Sequence, residues 1–248
     1  MRQSTKAVFA SSLLALMILM GLPSSRAGDT LVLVDDIETA LNSSAEGTLS
    51  NFFDVEQASD LLLRFRRLKT RFPDARWLLK PSSKLQDGRS TLEVFINGST
   101  QLKEQDYHFQ SKQILAFRTR KEKIIDQELL FEESILRSNN HLIPITLQIP
   151  DAVLTGSRYD IDVLFDEPLG ESIVAAGLID LTSKQINADE SPEILLAPMH
   201  GGGLFKSVLA PLIPGKQTWA ILLAHTNGII SVTKLVRVVP TEEELAIN

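Results

Sequence analysis

The sequence predicts an α+β chain, with N-terminal helices on a curved antiparallel sheet followed by a C-terminal all-β sandwich. Three observations carry this. Apolar residues recur at helical spacing as far as Pro73 and alternate with polar ones after it. Short strand-like runs divided by turn residues fill residues 143–239. A polar break at Ser138-Asn139-Asn140 separates the two patterns. The expected divisions are a leader over 1–27, a first domain over 28–138, a second over 141–239 and an acidic tail over 240–248.

The leader has the composition of an export signal. Arg2 and Lys6 form a positive start, Ala7 to Leu22 form an uncharged apolar run, and Pro23 breaks it. Ser25-Arg26-Ala27 then puts small residues where a signal peptidase reads them, so cleavage is expected after Ala27. A spanning helix wants about 20 apolar residues, more than this run supplies. The expected destination is the periplasm, the exterior or a thylakoid lumen; the alternative is an uncleaved N-terminus acting as a membrane anchor. The chain has no Cys, which excludes disulfides, thiolate metal sites and a lipidated Cys. Cleavage would remove Arg2, Lys6 and Arg26 and no acid, taking the formal net charge from −6 to −9. Such a chain is poorly suited to nucleic acid, where neutralising phosphates supplies much of the affinity.

A short helix is expected over Leu31 to Asn42. Asp54 followed by Gln57 resembles a capping box, and behind it Val55, Ala58, Leu62, Phe65 and Phe72 fall at helical spacing, with Leu61 and Leu68 widening the face. Pro73 stops the helix. TLEVFI then alternates around Leu92, Val94 and Ile96, between turn signals at Asp87-Gly88 and Asn97-Gly98. DYHFQSKQILAFRTR and KIIDQELLFEESILR read as two long strands joined near Lys121-Glu122.

That order of elements, with FPDARW leading into DGRSTLEVFI and a long terminal hairpin, resembles the nuclear-transport-factor-2-like superfamily over Gly28 to Ser138. The resemblance implies a cone of helices and sheet around a pocket. Some members use that pocket for isomerisation or dehydration, and many only for binding.

From Ile143 to Val239 seven runs read as strands: IPITLQI, RYDIDVLF, SIVAAGLIDL, EILLAPM, LFKSVLA, TWAILLAH and IISVTKLVRVV. Thr155-Gly156-Ser157, Pro168-Leu169-Gly170, Gly201 to Gly203, Pro214-Gly215 and Asn227-Gly228 supply turns, Asn-Gly being a strong hairpin signal. Seven short strands in about 100 residues fit an immunoglobulin-like sandwich. LIPGKQTWAILLA resembles the corner entering the sixth strand of fibronectin type III domains: Leu212, Pro214 and Gly215 match, whereas Thr218 holds the Tyr position and Trp219 follows it.

Few residues suggest chemistry. His200-Gly201-Gly202-Gly203 has the form of an esterase oxyanion loop, but its nucleophile elbow is missing; the nearest run, Gly170-Glu171-Ser172-Ile173-Val174, lacks the final Gly and comes too early. The run is therefore read as a turn. His108, His141, His200 and His225 stand singly, without metal-ligand spacing. Asp160, Asp162, Asp166 and Glu167 could offer oxygen to calcium, yet Asp160 and Asp162 alternate with Tyr159, Ile161 and Val163 as in a half-buried strand. No metal and no cofactor is expected. Arg64, Arg66, Arg67, Lys69 and Arg71 crowd one helix end, where cations suit the macrodipole. Of these, Arg64, Arg67 and Arg71 share a face that could dock a partner. Trp77, Glu93, Asp106 and Tyr107 are the residues expected to edge a pocket in the first domain.

The expected function is thus an exported, non-catalytic binding or assembly protein of the cell envelope. Its expected partner is a protein or another envelope component, with no nucleic acid and no membrane contact except through an uncleaved N-terminus. The alternative is a small-molecule binder or an isomerase- or dehydratase-type enzyme using the first domain's pocket.

Overall fold

The computed structural model describes residues 27–43, 46–139, 143–167, 174–187, 191–199 and 202–247, with only the backbone of 27–31, 46, 55, 56 and 60. The expected leader lies almost wholly outside them. In chain order the elements are α1 (Ala27–Asn42), α2 (Glu46–Leu49), α3 (Val55–Arg71), β1 (Arg76–Ser82), β2 (Ser90–Leu102), β3 (Gln105–Arg120), β4 (Lys123–Ser138), β5 (Ile145–Gln148), β6 (Ala152–Leu154), β7 (Arg158–Phe165), β8 (Ala175–Asp180), α4 (Ser183–Asn187), β9 (Ala197–Pro198), β10 (Gly203–Leu209), β11 (Gly215–His225) and β12 (Gly228–Val239). No helix among the described residues is long and apolar enough to cross a membrane.

The expected fold class is overturned. Instead of a helical N-terminal domain laid on its own sheet, the chain is mostly β, with few, short helices. The strands of its first half belong to one nine-stranded sheet in the order β1-β2-β3-β4-β12-β11-β8-β9, with β6 also paired to β12. The register is antiparallel in the pairs of β1 with β2, β12 with β4, β11 with β12 and with β8, and β8 with β9, whereas β6 runs parallel to β12. The reason lies in β4, which stays in strand through Ser138, so that residues 133–137 pair with Ile230 to Lys234 of β12. The polar run at Ser138 does not end the sheet. Asn139, at φ 69°, turns there and donates its backbone N–H to the Asp106 carbonyl (2.8 Å) and its side-chain amide to the Asn227 carbonyl (2.8 Å).

Two compact units divide the described residues: 27–100 with 110–132, and 101–109 with 133–247. In the first, α3 forms at the predicted place and buries Ala58, Leu61, Phe65 and Leu68, with Phe72 just beyond its end. Leu62 is only half-buried, so the face is centred one residue earlier than its spacing suggested. β1 was not anticipated. Nor does Asn97-Gly98 turn the chain, because β2 runs through both and Asn97 pairs with Arg76. Gly98 serves close approach instead, since a Cβ there would stand 3.0 Å from Cβ of Phe72 and 3.2 Å from Cα of Ala75.

The long hairpins are closed by two short turns. Lys103 and Glu104 separate β2 from β3, and Lys121 and Glu122 separate β3 from β4, all four at φ between 50° and 64°. Positive φ at both central residues is the mirror-image turn whose twist matches that of paired strands. Here it is made twice from Lys-Glu, without glycine.

The second unit contains a β-sandwich. A separate three-stranded sheet, β10-β7-β5, supplies Ile161 and Val163, and the large sheet supplies Ile221, Leu223, Val232 and Val236 to the same core. These side chains are fully buried, and burial of each large aliphatic group stabilises the fold by about 1.5–3 kcal/mol. EILLAPM yields only the two-residue β9, and β6 and α4 appear where no element was expected. Ahead of β9 the chain crosses tightly over β8, since a Cβ on Gly177 would meet the Leu195 carbonyl at 2.2 Å.

Candidate functional site

Alternation along the strands of the first unit builds a cavity. Leu92, Val94 and Ile96 of β2, Gln113, Leu115 and Phe117 of β3, and Trp77 and Leu79 of β1 project to one side. Ile124 and Gln127 of β4 join them, while α1 contributes Ile37 and Leu41, α3 contributes Leu61, and Phe53 closes the set. The space between them is about 50 Å³. Its lining contains no charged side chain, and its only polar members are the two carboxamides.

The wall at β1 is held by α1. Asn42 accepts the Trp77 backbone N–H at 2.9 Å and donates to the Trp77 carbonyl at 2.7 Å. Glu38 accepts the Leu79 N–H at 2.7 Å. The next residue of that phase is Pro81, which has no N–H to offer. The outward donors of this edge strand are therefore each satisfied or absent, which blunts an edge that could otherwise pair with another chain. The Trp77 ring lies 5.2 Å from that of Phe65, and the Lys69 ammonium sits 5.0 Å over it while donating to the Ala75 carbonyl. Burial, and then the nearby Arg76 charge, hold the Lys69 pKa below its ordinary value, against the opposing pull of Asp74.

Of the four residues expected to edge a pocket, Trp77 stands in this lining and the other three do not. Glu93 alternates to the opposite side of β2, with Lys112 at 3.9 Å. Asp106 and Tyr107 belong to the other unit, where Asp106 accepts from Gln101 (3.1 Å) and the Tyr107 hydroxyl donates to Gln105 (3.3 Å). Arg64, Arg67 and Arg71 are half-buried along α3, and each makes polar or electrostatic contacts within the molecule.

Gln113 and Gln127 were not anticipated. Both occupy inward positions that a simple strand would give to apolar residues, as Phe109, Leu115 and Phe117 show for β3. A polar residue at the apolar phase was the available signal. Gln113 donates to Glu132 at 3.4 Å, and that carboxylate is itself only 1% exposed.

The second unit has its own buried polar groups. Trp219 Nε1–H donates to the Tyr159 hydroxyl (2.8 Å), which donates to Gln217 Oε1 (2.9 Å), and Gln217 Nε2–H donates to Asp180 (3.0 Å). Burial raises the Tyr159 pKa, the Trp219 hydrogen bond opposes the rise and the Asp180 charge adds to it. Lys234, 2% exposed, donates to Asp151 (2.7 Å) and Glu133 (3.3 Å).

On the surface of this unit, Leu212 and Ile213 are 83% and 77% exposed. They stand between Pro211 and Pro214, in a loop tied down by Gly156 N–H to the Pro211 carbonyl (3.0 Å) and Ala210 N–H to the Ser157 carbonyl (2.8 Å). In the glycine run, residues 200 and 201 lie outside the described residues. Gly202 has φ 82°, its carbonyl accepts the Phe165 N–H (3.0 Å), and Gly203 enters β10. His141 also lies outside. His225 accepts the Asn227 N–H at 3.0 Å, and His108 is half-buried in β3. Asp166 accepts from the Thr146 hydroxyl (2.6 Å), while Asp160 and Asp162 lie along β7. Among the described residues no three His, Asp or Glu side chains are grouped so as to hold a metal.

Residues 140–239 match a protein family described only as a domain of unknown function, DUF8623. No curated protein matches the chain.

Proposed function

We propose that this chain is an exported, non-catalytic binding or assembly protein of the cell envelope, docking a protein or another envelope component through the Leu212–Ile213 loop. The exposure of that loop is the observation that carries the reading. Two adjacent large aliphatic side chains, flanked by prolines and hydrogen-bonded at their base, keep apolar surface in water. Rigid apolar surface of this kind favours association, because little conformational freedom is lost on contact.

The alternative, an isomerase- or dehydratase-type enzyme, needs an acid–base group beside its substrate. The cavity lining offers only carboxamides. Its space of about 50 Å³ is also small beside the roughly 300–1,000 Å³ of ordinary ligand pockets.

Photo-crosslinking in cells producing the full chain tests the reading. A benzophenone side chain at Ile213 is expected to yield a discrete adduct, and one at the exposed Gln148 none. Absence of an adduct from Ile213, or equal labelling from both positions, would overturn it. Retention of an adduct after Leu212→Asp would place the contact elsewhere and reject the loop.

A further inference from the structure

We infer that the β10 edge binds the same edge of a second copy of this chain, joining two three-stranded sheets into one. β10 ends the sheet β10-β7-β5, and among the described residues it pairs with β7 alone. The Phe165 N–H bonds the Gly202 carbonyl (3.0 Å) and the Ala210 N–H bonds the Ser157 carbonyl (2.8 Å). The even-numbered residues between Gly202 and Ala210 therefore direct their backbone groups at β7. Phe205, Ser207 and Leu209 turn theirs outward. Such a row is completed by another β-strand. The β1 edge of the large sheet is covered by α1, whereas among the described residues β10 has neither cover nor proline.

The side chains of the row fit its own copy. Leu204 and Val208 pack on the sandwich core, while Phe205 and Leu209 are 60% and 57% exposed on the outer face, with the exposed Ser207 between them. Antiparallel pairing about a twofold axis at Ser207 sets each Phe205 beside Leu209 of the second copy. All three outward residues then form hydrogen-bonded pairs. Lys206, exposed at the inward phase, meets Val208 of the second copy and not another lysine. An axis at Lys206 would oppose like charges and offer bonding groups already turned to β7. The flanking charges follow the same symmetry. On β7, Asp162 lies opposite Phe205 and Arg158 opposite Leu209, so each apolar pair stands between an acid of one copy and a base of the other. Pro211 has no N–H to continue the ladder beyond Leu209.

Sedimentation velocity of the full chain tests this, together with cysteine cross-linking in a chain that has no native Cys. A reversible monomer–dimer equilibrium is expected by about 100 µM, the range of a small interface. Ser207→Pro removes the central donor from both copies, at an edge position that tolerates proline, and should weaken dimerisation about tenfold or more. Ser207→Lys sets two ammonium groups opposite each other and gives the same readout if proline disturbs the strand. Under mild oxidation Ser207→Cys should form a disulfide dimer, its Cα atoms about 5.5 Å apart across the axis. Leu209→Cys alone should not, because about 14 Å separates it from its own copy. A chain still monomeric at about 100 µM, or a dimer indifferent to both Ser207→Pro and Ser207→Lys, would overturn the inference. So would Leu209→Cys linking as readily as Ser207→Cys. Every variant keeps Leu212 and Ile213, so a partner adduct from Ile213 in a monomeric chain would sink the dimer and leave the docking loop standing.

Discussion

Asn42 forms two hydrogen bonds with the backbone of a single residue, Trp77, accepting its N–H at 2.9 Å and donating to its carbonyl at 2.7 Å. A side-chain amide thereby does for β1 what a neighbouring strand would do.

Replacing Asn42 removes both bonds at once. Asn42→Ala is expected to destabilise the chain by about 1–3 kcal/mol, because a partly buried backbone donor and acceptor lose their partners. Chemical denaturation measures the loss. Light scattering of the folded protein should also show more self-association, since part of the strand edge becomes available to a second chain. A variant as stable and as monodisperse as the parent would show that α1 merely lies beside the strand.

Lys234 and its two acids give an asymmetric expectation. The Lys234 side chain is 3% exposed, whereas those of Glu133 and Asp151 are 35% and 53% exposed. Water can therefore compensate the acids but not the lysine. Glu133→Gln with Asp151→Asn should cost about 3 kcal/mol or more, as expected when a buried charge loses its counter-ions. Lys234→Met should cost less, because it removes the buried charge and leaves two acids that water can solvate. Equal losses in denaturant midpoint would contradict this ordering.

Tyr159 ties stability to alkaline pH. Burial raises its pKa, with the Trp219 bond opposing and Asp180 adding, so the folded state holds the phenolic proton at pH values where the unfolded chain has released it. Its contribution is fully present below the unfolded pKa of about 10 and is lost as pH rises from there through the folded value. Tyr159→Phe should lower stability near neutral pH by about 1–3 kcal/mol, since the hydroxyl joins Trp219 to Gln217. The gap between parent and variant should then narrow above about pH 10. A gap constant from pH 7 to pH 11 would show that the hydroxyl does not titrate in the core.

Much of the local structure was legible in the residues, and much of the assembly was not. The helix from Val55 and the hairpin near Lys121-Glu122 could be read because periodicity and breakers act within a few residues. Asn97-Gly98 carried a turn signal, yet the glycine is needed for the approach of Phe72 and Ala75, contacts no local rule can see. Alternation reveals which face of β4 is buried but not which strand lies along its edge, so the pairing with β12 and the nine-stranded sheet were hidden. At the candidate site the sequence singled out Trp77 by its type. Gln113 and Gln127 were passed over because a glutamine within a polar-rich strand looks solvated until the phase of the strand is known.

The pairing of β4 with β12 also governs when the protein can fold. Glu133 and Lys234 are neighbours in the sheet but stand 101 positions apart along the chain. Contacts of such long sequence separation require a large loop to close before they stabilise anything, and topologies rich in them fold slowly. During synthesis this part of the sheet stays open until β12, the last strand, leaves the ribosome. Until then the β4 edge over residues 133–137 lacks its partner, and an unpaired strand edge is what makes a growing chain prone to aggregate and a client for a holding chaperone.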